Sequence, residues 1–182
     1  MWKELLRLIR ERLFPASIVS IKIHKNLVAS GSAHSAGDIL NDSLSHSWVI
    51  PNAAGEPGGS GYITKVQAHT QVESQTFRIA SQVYTREPTA TMVDNAGAAN
   101  PNEADEEFFE DEIALPALLS RGDASYTVAT PSTVGGLPFA FTCEPGSRDL
   151  YLNVIAVSAT TFTAGERLDF KFKIERVKTV RD

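Results

Sequence analysis

The chain has 182 residues, a formal net charge of −5 and a single cysteine. That length suits one domain with an appendage and a core that needs no metal or disulfide, while the lone Cys143 excludes an intrachain disulfide and suits a reducing compartment. The acidic balance argues against a nucleic-acid-binding domain, which would present a basic face. The sign is uneven: residues 1–25 hold six Lys or Arg against two Glu, and residues 94–112 hold eight carboxylates and no base.

Met1 to Phe14 predicts the one helix. Trp2, Leu5, Leu6, Ile9 and Leu13 share one side, Lys3, Glu4, Arg7, Arg10 and Glu11 lie on the other, and Pro15 ends the pattern. Those charges also interrupt the apolar runs well short of a signal-peptide core, and nothing approaches the ~18 apolar residues of a membrane span, so a soluble chain is expected. A helix this short is marginal alone, so its stripe needs a cover. The cover is either its own domain or another chain. A membrane surface is disfavoured, because Glu4 and Glu11 dilute the basic side.

From Ser17 the period changes to two. Val19, Ile21 and Ile23 alternate with Ser20, Lys22 and His24, a first strand. Ser30 to Gly37 reads as a loop or weak edge, Ser47 to Ile50 as a short apolar run, and the Gly- and Pro-rich Pro51 to Gly61 as a turn. Tyr62, Thr64, Val66 and Ala68 alternate with Lys65, Gln67 and His69, and a further strand runs from Phe77 to Tyr84. Arg86 to Glu112 breaks the pattern as a long excursion. Ile113 to Leu119, Tyr126 to Ala129 and Leu137 to Thr142 follow as short strands. Leu150 to Val157 is apolar at nearly every position, as for a strand covered on both faces. Leu168, Phe170, Phe172 and Ile174 then alternate with Asp169, Lys171, Lys173 and Glu175. These last two strands read as a hairpin with a long loop. Eight to ten strands with no helix between them predict an all-β antiparallel sandwich, the jelly roll being one form of it, over residues 16–182, with a helical arm at 1–15 and an acidic loop at about 86–112.

No catalytic motif appears, and no enzyme, cofactor or metal site is expected. Glu103 to Glu112 lacks the alternating ligands and central glycine of an EF-hand. It reads as a solvated loop or, because Phe108 and Phe109 sit among Glu106, Glu107, Glu110 and Asp111, as a docking loop with the rings as anchors. A calcium site of another kind is the third alternative. Arg121-Gly122-Asp123 spells an integrin-type tripeptide that recurs by chance in many turns. His24, His34, His46 and His69 have no ligand spacing among themselves or with Cys143, which reads as a buried hydrophobe. Gly58-Gly59-Ser60-Gly61 precedes a strand and lacks a phosphate-binding lysine, so it is turn chemistry.

In Gly58 to Lys65 (GGSGYITK), Thr130 to Thr142 (TPSTVGGLPFAFT), Asp149 to Val157 and Phe162 to Phe170, the chain resembles a group of small β-rich proteins encoded beside the head genes of tailed bacteriophages. The resemblance covers about residues 17–175 and leaves the arm outside. It implies a virion protein of the decoration or cement kind, made in the host cytoplasm, that sits on major capsid subunits and touches copies of itself, with no nucleic acid and no membrane as partner. The predicted interface is then Trp2, Leu5, Leu6, Ile9 and Leu13 of the arm with Glu106 to Asp111 of the acidic loop. A carbohydrate-binding or host-recognition module is the alternative, motivated by Trp48 and Tyr62 as candidate exposed aromatics.

Overall fold

The computed structural model describes residues 16–27, 33–90, 92–97, 103–131, 136–162 and 165–177. The expected helix over 1–14 lies outside them, with Trp2, Leu5, Leu6, Ile9 and Leu13. The described chain is all-β: β1 (Ala16–Asn26), β2 (Ala33–His34), β3 (Trp48–Ile50), β4 (Ser60–Thr70), β5 (Ile79–Tyr84), β6 (Phe109–Ala114), β7 (Leu119–Arg121), β8 (Ala124–Ala129), β9 (Phe139–Thr142), β10 (Leu150–Ala156), β11 (Thr160–Thr161) and β12 (Arg167–Val177). A six-stranded sheet runs β1-β12-β4-β8-β7, with β9 also on β4, and a four-stranded sheet runs β3-β10-β5-β6. A ribbon of β11 and β2 stands apart, and every pairing is antiparallel.

The alternation in β12 does what its period dictates. Leu168, Phe170, Phe172 and Ile174 are buried, and Lys173 on the opposite face is exposed. β12 pairs with β1 along its whole length, which sets Ala16 beside Val177. Val19, Ile21 and Ile23 of β1 pack against the same core, where the Trp48 and Phe170 rings meet edge to face at 5.2 Å. The Trp48 indole N–H donates to the Leu40 carbonyl at 2.9 Å.

The expected hairpin of the last two long strands is not formed. β10 lies in the four-stranded sheet between β3 and β5, whereas β12 lies in the six-stranded sheet between β1 and β4. The chain crosses between the layers after β10, and β11 pairs with β2 on the way. An apolar run on both faces and a strict alternation are signs of different surroundings, and here they belong to different sheets. β5 and β10 are buried on both faces: Ala80, Gln82 and Tyr84 are out of water as fully as Ile79 and Val83, and Asn153 donates to its cross-strand neighbour Gln82 at 3.0 Å.

A second difference is local. Ile174 pairs with Ile63 and Lys173 with Lys65, so Thr64 is the extra residue of a bulge. Val66 and Ala68 face inward as expected, but the bulge changes the phase: Ile63 points inward and Tyr62 outward, 42% exposed. Gly61 is needed beside it. A Cβ there would meet the Glu175 carbonyl oxygen and the Phe141 ring at 2.8 Å. The acidic excursion is also shorter than 86–112, since it ends in β6, whose Phe109–Ala114 pair with β5.

Candidate functional site

The acidic segment is built on a buried carboxylate. Asp105, 1% exposed, accepts the Thr89 backbone N–H at 2.8 Å, the Thr89 hydroxyl at 3.0 Å and the Ala90 N–H at 3.3 Å. Its own carbonyl accepts the Phe108 N–H at 3.0 Å, which closes the 3-10 turn Glu106–Phe108. The Thr85 N–H then donates to the Phe108 carbonyl at 2.9 Å, tying the turn to the end of β5. Phe109 faces Tyr84, and the Arg86 guanidinium lies 3.6 Å over the Phe108 ring. Burial, with Asp105 nearby, pushes the Tyr84 phenol up to about 12.

With both rings half-buried against their own chain, the outward chemistry of the segment is its carboxylates. Glu106, Glu107, Glu110, Asp111 and Glu112 are all exposed. Glu110 is the extra residue where the β5–β6 register shifts, between the Val83–Asp111 and Tyr84–Phe109 pairs. Burial nevertheless raises its carboxyl above the usual range. β6 is the last strand of its sheet, so the acidic run combines a strand edge with clustered negative charge on a pinned backbone.

The other candidates scatter. Arg121 and Asp123 are exposed at the turn between β7 and β8, where Gly122 takes φ 60°. His34 is buried against Asp94 at 3.3 Å, His46 lies near Glu87 at 3.6 Å and His69 near Asp169 at 3.8 Å. Among the described residues no group of three His, Cys, Asp or Glu could hold a metal ion. Cys143 is buried, and desolvation pushes its thiol up to about 11. Trp48, a candidate exposed aromatic, is 2% exposed and part of the core, so Tyr62 alone of that pair reaches the surface.

One feature was not singled out from sequence. Lys22 sits directly opposite Lys171, and Lys173 opposite Lys65, on the outer face of the six-stranded sheet. Each lysine occupies an ordinary wet position in its own strand. Only the register between β1, β12 and β4 gathers them.

No family model matches the chain, and no curated protein matches it. Among the solved structures similar to it are chains from viruses. One is the capsid of Ralstonia phage GP4, at 13% identity over 91% of this chain and 86% of that one, with a TM-score of 0.42. A second is the cyanophage Pam1 capsid asymmetric unit, at 6% identity over 88% and 84%, with a TM-score of 0.30. A third is tomato aspermy virus, at 8% identity over 99% and 98%, with a TM-score of 0.31. At these scores the likeness carries no argument about function.

Proposed function

We propose that this chain is a non-enzymatic structural protein of a virion, of the decoration or cement kind, which binds major capsid subunits through its acidic edge and stabilises the head. The observation that carries the reading is the build of that edge. A buried Asp105 and two half-buried rings hold Glu106, Glu107, Glu110, Asp111 and Glu112 outward on a fixed turn and an end strand. A merely solvated run has no need of such anchoring. The resemblance of its turn-and-strand segments to head-associated phage proteins supplies the partner, and the stripe Trp2, Leu5, Leu6, Ile9 and Leu13 a second attachment.

The test is attachment to purified particles. Binding should fall as salt rises, because exposed charges are screened over a Debye length of ~10 Å at 0.1 M ionic strength. E106Q/E107Q/E110Q/D111N should bind weakly while melting like the parent. Full attachment by that variant would remove the acidic edge from the interface. Deleting residues 1–14 should leave a cooperatively melting β domain that attaches poorly, whereas normal melting with normal attachment would refute the arm's part.

A further inference from the structure

The outer face of the six-stranded sheet carries a charge arrangement that does nothing for the fold. Across β1, β12 and β4 the rows read Ser20–Lys173–Lys65, Lys22–Lys171–Gln67 and His24–Asp169–His69. Like charges directly opposite on neighbouring strands repel. Among the described residues none of the four ammonium groups has an ion-pair partner. Lys25 on the same strand β1 is the contrast: its ammonium donates to Asn41 at 2.7 Å, Asp42 at 3.3 Å and the His46 carbonyl at 2.6 Å. Asp169, the carboxylate in the third row, is already held by Arg167 at 2.5 and 2.9 Å. A groove of about 430 Å³ opens on this face, with Lys22, Lys171, His69 and Tyr126 in its lining.

We infer that this lysine face is the receptor for the acidic edge of a second copy of the chain. The face presents unpaired cations and a groove, and the edge presents Glu106, Glu107, Glu110, Asp111 and Glu112 on a pinned backbone. Charge complementarity selects the occupant: the molecule carries the densest carboxylate run of its own sequence on one sheet and its unpaired lysines on the other. The contact joins two different surfaces, so each bound pair leaves one lysine face and one acidic edge free, and the product is a ring or an open chain of copies. The inference rests on the proposed function in taking the acidic edge as a docking element, and it adds the lysine face of a neighbouring copy as a second partner, for edges that no capsid subunit occupies.

Charge reversal on each side tests it by sedimentation velocity. The parent should associate at low salt and dissociate at high salt. K22E/K171E/K173E and E106K/E107K/E110K/E112K should each sediment as a monomer at the concentration where the parent associates, because each then carries a net charge of the same sign on both surfaces. Mixing the two variants should restore association, since the acidic edge of the first meets the lysines of the second and the reversed surfaces meet each other. K22Q/K171Q/K173Q serves where a reversal fails to fold; it should melt no lower than the parent and still fail to associate. A parent that stays monomeric at low salt, or association that survives reversal of the lysines, overturns the inference. So does a monomeric parent that binds a single-stranded DNA oligonucleotide through these lysines, which would make the face a polyanion site. A monomeric parent that still attaches to particles through its acidic edge would sink this inference and leave the proposed function standing. Self-association without particle attachment would do the reverse.

Discussion

The two sheets of this protein treat their outer faces in opposite ways. The six-stranded sheet leaves its outer face in water, and β1 and β12 alternate apolar with polar or charged residues accordingly. The four-stranded sheet keeps both faces of its two central strands out of water, and there β5 and β10 carry polar groups, Gln82 and Asn153, that bond to each other inside. A strand's composition therefore reports how many layers cover it and says little about which strand lies beside it.

Breaking the shared core should have the largest effect. Phe172→Ala removes a fully buried ring of β12 and should cost about 3–5 kcal/mol in chemical denaturation, enough to threaten folding at moderate temperature. The turn tied to the end of β5 comes next. Asp105→Ala should cost about 1–3 kcal/mol by stranding the donors of Thr89 and Ala90, and hydrogen exchange should quicken over residues 85–109 more than over β12.

Alkaline titration sharpens the same contrast. The folded-state values of Tyr84, about 12, and Cys143, about 11, lie above their ordinary values of 10.0 and 9.0 because burial disfavours the charged forms. Both groups keep their protons longer in the folded chain, so this contribution is fully present below pH 9 and is lost as pH rises from there to about 12. Denaturation midpoints should fall across that window, and Asp105→Ala should bring the Tyr84 phenolate absorbance to lower pH. The smallest effect belongs to the open face: Lys171→Ala should change stability by no more than about 0.5 kcal/mol.

Much of this architecture is legible in the residues, and what is not has physical causes. Alternation assigns Phe170, Phe172 and Ile174 to one buried face, and the continuous apolar run of Leu150 to Val157 marks a strand with covered faces. Periodicity carries no information about which strand lies beside which or in what register, which is why the two strands read as a hairpin although they lie in different sheets. The bulge at Thr64 escapes as well, because one extra residue leaves the local pattern intact while turning Tyr62 outward. Glu110 to Glu112 read as loop by charge, yet their partner β5 is a strand already recognised, and Phe109 and Ile113 flank them as apolar residues. Much of the lysine face is a property of pairing. Lys171 and Lys173 share one face of β12, but Lys22 and Lys65 join them only once three strands separated in sequence lie side by side.

The pairing of Ala16 with Val177 has a mechanical consequence. The two positions lie side by side at one corner of the six-stranded sheet, where β1 forms the edge. A pull that draws them apart loads the ladder between β1 and β12 one hydrogen-bonded pair at a time, because antiparallel bonds run perpendicular to the strands. Such a load opens the edge like a zipper at low force, exposing Ile174 and then Phe172, whereas a load applied along the strands would have to shear every bond together.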